Sequence, residues 1–149
     1  MSAFLVPPSA ALSAPEPAAA MPDYHLLQAP PGFVRFIGGM HLHATRPCLG
    51  VRVMAEHLNS IGIAHGGFLA TVADTAFGAV MRRQLALPVP PGTVTLNVDY
   101  LAGVREGDWL EAHVDLQKAG KQLVNATCLL KVDERLAVRA TGIFVMPRA

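Results

Sequence analysis

The sequence predicts an α+β domain in which a single antiparallel sheet is wrapped around one long helix. Apolar residues recur at three- and four-residue spacing in one long segment, whereas four later segments alternate apolar and polar residues. The connections between those four segments are too short for parallel crossovers. Because a chain of 149 residues can bury its own core, one domain of this kind is expected.

Composition excludes some classes of function. The 12 Lys and Arg residues nearly balance the 11 Asp and Glu residues, so no strong field favours a nucleic-acid partner. Charged residues make up 15% of the chain and hydrophobic ones 52%, whereas soluble domains carry roughly 25% charged residues. We therefore expect apolar surface that a second subunit covers, in a homodimer or a dimer of dimers.

Location and redox state can also be predicted. No uninterrupted apolar run reaches the roughly 18 residues of a membrane span, and the N-terminal segment lacks the basic region of a signal peptide. Two cysteines, Cys48 and Cys128, are too few for a disulfide framework and are expected to be buried thiols. The sequence thus predicts a cytoplasmic protein with no membrane association.

The N-terminal third divides into a tail and the first elements of the domain. Residues 1–22 are rich in Ala, Pro and Ser, which predicts a flexible tail, and residues 23–149 form the domain. Residues 23–28 favour a turn or short helix, because prolines follow. Two segments rich in Val, Phe and Ile are expected to be strands, over residues 33–43 and 48–57.

The long helix is expected over residues 64–85, where the apolar residues Leu69, Val72, Ala76 and Val80 share one face. Four strands follow, over residues 93–100, 110–116, 124–132 and 136–144, and their tight connections predict an antiparallel meander. In the first of them, one face carries the apolar side chains Val94, Leu96, Val98 and Tyr100. The other face carries Thr93, Thr95, Asn97 and Asp99, so one-sided burial is expected.

Two adjacent glycines, Gly66 and Gly67, open the long helix at a cost of about 1 kcal/mol each relative to Ala. Close approach of a ligand to a bare backbone would explain them. The first N–H groups of a helix can stabilise a carbonyl oxygen that becomes an oxyanion, and Gly66 N–H is the leading donor. Tight packing against a strand is the alternative explanation.

Asp74 lies among apolar residues of the same helix, where an ionised carboxylate needs compensation. It is therefore a candidate base or nucleophile, although a place on the solvated stripe of the helix would also explain it. Nine positions separate His65 from Asp74, which corresponds to roughly 180° around the helix and about 13 Å along it. If both act on one bond, one of them must come from a neighbouring subunit.

These residues, in this order, resemble a known family. The pattern Asn59-x-x-Gly62-x-x-His65-Gly66-Gly67, followed by Asp74-Thr75, looks like that of the hotdog-fold acyl-CoA thioesterases of the phenylacetate-degradation (PaaI-like) group. The order of strands, helix and four strands agrees, and the resemblance covers about residues 33–147. It implies a hotdog fold, hydrolysis of an acyl- or aryl-CoA thioester, and active sites at a dimer interface.

The resemblance also implies roles for individual residues. Asp74 would be the general base or nucleophile, and Gly66 N–H would polarise the thioester carbonyl. Asn59 and His65 would orient water and substrate, and Thr93 falls where related enzymes place a Ser or Thr that assists the water. Three further residues are expected to contact the substrate: Gly67, Phe68 and Thr75.

No metal or redox cofactor is expected. His41 and His43 project from one face of a predicted strand, but no third ligand is evident, and two half-exposed histidines would also explain them. Four cations could meet the phosphates of coenzyme A or be plain solvated surface: Arg82, Arg83, Lys118 and Lys121. Two other functions stay open, a non-catalytic acyl-CoA-binding protein and a purely structural dimerisation module.

Overall fold

The computed structural model describes residues 21–148, so the expected tail, residues 1–22, lies outside the described residues except for its last two. The elements in chain order are β1 (Tyr24–Leu26), α1 (Phe33–Ile37), β2 (Met40–His43), β3 (Cys48–Arg52), α2 (Gly66–Gln84), β4 (Gly92–Tyr100), β5 (Trp109–Ala119), β6 (Leu123–Val132) and β7 (Arg135–Val145). Seven antiparallel strands form one sheet that packs on α2, which confirms the predicted fold class. No helix of the described part has the length and hydropathy needed to cross a membrane.

Helix α2 supplies one side of the core. Its buried face is made of small and medium apolar residues together with two aromatic rings, as the three- and four-residue spacing predicts: Phe68, Leu69, Val72, Ala73, Ala76, Phe77, Val80 and Met81. Phe77 meets Phe144 of β7, with ring centroids 4.9 Å apart. Cys48 and Cys128 are buried and unpaired, as expected.

The sheet order is β1-β2-β3-β5-β6-β7-β4. Strands β5, β6 and β7 form the predicted meander, but the expected pairing of β4 with β5 is wrong, because β4 pairs with β7 at the edge of the sheet. After β4 the chain passes the start of β7, where Leu101 and Ala102 donate backbone hydrogen bonds to Ala137 O. Ala64 N then donates to Val104 O, which ties this crossing to the start of α2.

Three predictions for the N-terminal elements are wrong. Residues 24–26 form a strand rather than a turn or helix, because they pair with β2 and Tyr24 is buried there. The expected strand 33–43 is a helix and a strand, separated by Gly38 and Gly39 with φ of 78° and 69°. The expected strand 48–57 ends at Arg52, since the chain turns into a short 3₁₀ helix, Ala55–His57, closed by a bond from Met54 N to His57 Nδ1.

Strand β4 departs from regular alternation near its start. Thr93 pairs with Phe144 and Thr95 pairs with Ile143, so Val94 is an extra residue in a β-bulge. The bulge turns Thr93 to the side of the buried Phe144, towards α2, and away from the face that it was predicted to share with Thr95. The expected one-sided burial holds for Leu96 and Val98, which pack partly buried against the core. It fails for Val94 and Tyr100, which are 56% and 53% exposed on this edge strand.

Candidate active site

The start of α2 carries one group of the predicted site residues. His65 is the N-cap of the helix, and its Nδ1 accepts a hydrogen bond of 2.8 Å from Gly67 N–H. Gly66 N–H, by contrast, has no acceptor among the residues that the structure describes. An unpaired N–H at the positive end of a 19-residue helix can donate to a carbonyl oxygen.

The loop before the helix is shaped by Asn59. Its Oδ1 accepts hydrogen bonds from Ile61 N at 3.0 Å and from Ile63 N at 3.3 Å. Gly62 has φ of 78° in this loop, a conformation that favours glycine and explains the motif's first glycine. The Asn59 side chain thus fixes the path by which the chain reaches Gly66.

Tyr100, at the end of β4, completes this group and was missed by sequence reasoning. Its hydroxyl donates to Gly66 O at 2.8 Å, and a Cβ on Gly66 would lie 3.3 Å from its ring. Tight packing, the alternative explanation for the glycine pair, therefore does apply to Gly66. Asn59, Gly66 and Tyr100 line a shallow cavity of about 340 Å³. The only signal in the sequence was an aromatic residue at the end of a strand.

A second group lies in the middle of α2. Thr93 Oγ1 donates a hydrogen bond of 2.7 Å to Asp74 Oδ1, and Asp74 is half-buried. Asp74 Oδ2 has no hydrogen-bond partner among the described residues. The bulge of β4 makes this contact possible, because it directs the Thr93 hydroxyl to the helix. A carboxylate that has one oxygen in a hydrogen bond and the other oxygen without a partner can accept a proton from water.

Asp74 and Thr93 lie on the wall of the larger cavity, which has a volume of about 590 Å³. The rest of its wall is mainly apolar and comes from the segment 27–34, the prolines after α2, and one stripe of α2 formed by Asp74, Thr75, Gly78, Ala79 and Arg82. An apolar cavity beside a single carboxylate suits a substrate with an apolar group next to the reacting bond.

The two groups are separate within one protomer. The two cavities share no lining residue, and among the described residues no hydrogen bond joins Asp74 or Thr93 to Asn59, His65 or Gly66. The structure therefore has the separation that helix geometry predicts for His65 and Asp74. Within one protomer, Asp74 and Gly66 therefore line different cavities.

The other residues predicted to contact substrate lie in different parts of the structure, and only some of them line a cavity. Thr75 lines the larger cavity, and Gly67 N–H is bound to His65. Phe68 is buried in the core and stacks on His57, with ring centroids 4.0 Å apart. His41 and His43 share a face as predicted but are buried rather than half-exposed.

The four cationic residues that were considered for contact with coenzyme A differ in their distance from the cavities. Arg82 is exposed at the rim of the larger cavity. The Arg83 guanidinium donates to the carbonyl oxygens of His43 and Arg46, so it holds the β2–β3 hairpin. Lys118 and Lys121 are exposed around the β5–β6 turn and line neither cavity.

A hotdog domain with a carboxylate and a glycine N–H on one helix is typical of enzymes that cleave thioesters. Residues 61–138 match the family model of the thioesterase superfamily, which is more than half of the chain. The chain belongs to this superfamily, which confirms the predicted resemblance and the enzyme class.

Individual relatives agree with this assignment. The candidate esterase PA0474 of Pseudomonas aeruginosa is 38% identical over 99 residues, which cover 66% of this chain and 74% of that protein. Acyl-coenzyme A thioesterase 13 of Mus musculus is 28% identical over 101 residues, covering 65% and 71%. The solved structure of the PaaI protein of E. coli superposes with a TM-score of 0.65 at 21% identity, over 72% of this chain and 78% of that one, and so shares the fold.

Proposed function

We propose that the protein hydrolyses acyl- or aryl-CoA thioesters with a metal-free site. The observation that carries the proposal is the hydrogen bond from Thr93 to Asp74 on the wall of the apolar cavity. Membership of the thioesterase superfamily supports the reaction, and the name of the mouse relative supports coenzyme A as the leaving group.

In this mechanism Asp74 is the general base. Its Oδ2 takes a proton from a water molecule whose oxygen attacks the thioester carbon, while Thr93 holds Oδ1 and so fixes the carboxylate. Gly66 N–H donates to the carbonyl oxygen as it becomes an oxyanion. Collapse of this intermediate breaks the carbon–sulfur bond, and the thiolate of coenzyme A leaves and takes up a proton. Asn59 and His65 orient the substrate at the Gly66 end.

We further propose that each active site joins the Asp74 half of one protomer to the Gly66 half of another. Strand β4 has an unpaired edge in the described sheet, and apolar side chains on it and directly after it are exposed: Val94, Tyr100 and Leu101 are 53% to 56% exposed. An edge of this kind favours association with a second copy. A homodimer therefore buries apolar surface and completes two sites at once.

A complementation experiment tests both parts of the proposal. Asn59→Ala and Asp74→Ala are each expected to be inactive alone in a thiol-release assay with a panel of CoA thioesters. When the two variants are denatured and refolded together, random exchange makes half of the dimers mixed, and each mixed dimer has one intact site. About a quarter of the wild-type number of sites should then be restored.

The outcomes separate the hypotheses. Verified subunit exchange, measured with a mass tag, without regained turnover would rule out the shared site. A wild-type protein that binds CoA thioesters but releases no thiol from any member of the panel would rule out catalysis. In that case the non-catalytic acyl-CoA-binding function would replace the proposal. Refolded wild-type protein serves as the control for recovery.

A further inference from the structure

The face of the sheet that points away from α2 carries a compact set of side chains that the thioesterase site does not use. Cys48 of β3 pairs directly with His113 of β5, and Glu111 lies two residues before His113. The neighbouring pair, Leu49 and Ala112, belongs to the core around α2. Since side chains alternate along a strand, Cys48, Glu111 and His113 all project to the opposite face.

The potential ligand atoms of these three residues converge. Cys48 Sγ lies 3.9 Å from His113 Nε2, which is 3.0 Å from Glu111 Oε2, and all three atoms lie within 4.8 Å of one another. With zinc bonds of about 2.3 Å to sulfur and about 2.0–2.2 Å to nitrogen or oxygen, ligand atoms in a tetrahedral site are roughly 3.3–3.8 Å apart. Shifts of about 1 Å or less would therefore complete the geometry.

We propose that Cys48, Glu111 and His113 bind a zinc ion on this outer face. Thiolate, imidazole and carboxylate together are a ligand set that zinc favours, and the two negative charges neutralise the ion. The ligands lie on paired strands, so the backbone holds them in place before the metal arrives. Glu111 and His113 side chains are 24% and 36% exposed, which gives the ion a path from solvent.

The surroundings set the conditions for binding. Tyr24 Oη lies 3.2 Å from Cys48 Sγ and donates to Glu111 Oε1 at 2.7 Å, so it joins two of the ligands in a hydrogen-bonded network. Burial raises the pKa of Cys48 to about 11, which keeps it a thiol in the metal-free protein. Zinc binding must therefore release the thiol proton to solvent, and His113 must carry its own proton on Nδ1.

The test uses the full chain after removal of metal with a chelator. Titration with Zn²⁺ alone is expected to show one equivalent bound per chain by calorimetry. Co²⁺ in its place is expected to give a thiolate-to-metal charge-transfer band in the near ultraviolet. Cys48→Ser should remove that band and weaken zinc binding by more than the roughly 10- to 100-fold that losing an outer hydrogen-bond partner of a metal ligand costs.

Cys128→Ser is the matched control, because Cys128 is also a buried free cysteine but lies in the core beside α2. It should keep both the stoichiometry and the cobalt band. Absence of stoichiometric binding in the wild type, or equal loss in the two serine variants, would overturn the proposal. If Cys48→Ser does not fold, Glu111→Gln and His113→Gln replace it, and unchanged affinity in both contradicts the site. The readout is metal binding, so its failure leaves the proposed thioesterase activity untouched.

Discussion

The two halves of the candidate active site lie on one helix but are built differently. At the start of α2, the proposed functional group is the backbone N–H of Gly66, and the side chains of His65 and Asn59 bind neighbouring backbone N–H groups. In the middle of α2, the proposed functional groups are the side chains of Asp74 and Thr93. Substitution can remove chemistry directly from the second half, whereas in the first half it can act only through geometry and the electrostatic environment.

The largest effect on turnover should come from a substitution of Asp74. Asp74→Asn keeps the shape of the side chain but removes the proton acceptor, so kcat should fall about 100-fold or more with little change in KM. Steady-state kinetics with a CoA thioester measure this. Asp115→Asn, an exposed carboxylate on the outer face of β5, is the control and should be neutral. Near-wild-type turnover of folded Asp74→Asn would show that another group is the base.

The group around Gly66 N–H can be tested by a substitution of Asn59 that keeps the loop before α2 intact. Asn59→Asp keeps the oxygen that accepts from Ile61 N and Ile63 N, so the Tm should be nearly unchanged. A carboxylate near the developing oxyanion should nevertheless lower kcat, by roughly 10- to 100-fold. Asn59→Ala supplies the contrast, because it loses both loop hydrogen bonds and should also be less stable, by about 1–2 kcal/mol. Full activity of Asn59→Asp would restrict Asn59 to a structural role.

Thr93 should matter less than Asp74, because it positions the carboxylate rather than taking the proton. Thr93→Ala is expected to lower kcat about 10-fold, the scale of one lost hydrogen bond to a charged group. Thr95→Ala is the matched control, since Thr95 lies two residues away on the other side of the bulge and faces outward. If the two alanine variants were equally active, the Thr93–Asp74 hydrogen bond would have no part in catalysis.

The smallest effect concerns the cavity. Gly78 lies between Asp74 and Arg82 on the cavity stripe, and a Cβ there would be 3.4 Å from Pro90, an ordinary contact. Gly78→Ala should therefore be tolerated, while Gly78→Leu should fill part of the space and raise KM several-fold for long acyl groups. Acetyl-CoA should be affected less. An equal effect on long and short substrates would indicate that the acyl group lies elsewhere.

Sequence reasoning succeeded where local rules decide the outcome. The long helix followed from the spacing of its apolar residues, and the separation of His65 and Asp74 followed from the pitch of a helix. Both depend on residues within a few turns of one another. The alternation of β5, β6 and β7 likewise predicted their buried faces, because each of these strands has neighbours on both sides.

It failed where contacts distant in the chain decide the outcome. The pairing of β4 with β7 depends on how the sheet curves around α2, which the length of the β4–β5 connection does not determine. The strand over residues 24–26 forms because it pairs with β2, and the helix over residues 33–37 lies next to it in the chain. The intrinsic secondary-structure preferences of these residues do not predict either element. Tyr100 was missed for the same reason, since its contact with Gly66 joins residues 34 positions apart.

The β-bulge at Val94 decides which face of β4 carries the hydroxyl beside Asp74. On a regular strand Thr93 and Thr95 would point the same way, and it is the one extra residue that sends Thr93 inward. Deleting Val94 would make Thr93 and Thr95 direct neighbours, which point to opposite faces of a regular strand, so Thr93 would still lie opposite Phe144 and face α2. A lineage could thus lose the extra residue and the bulge together and still keep this hydroxyl beside Asp74.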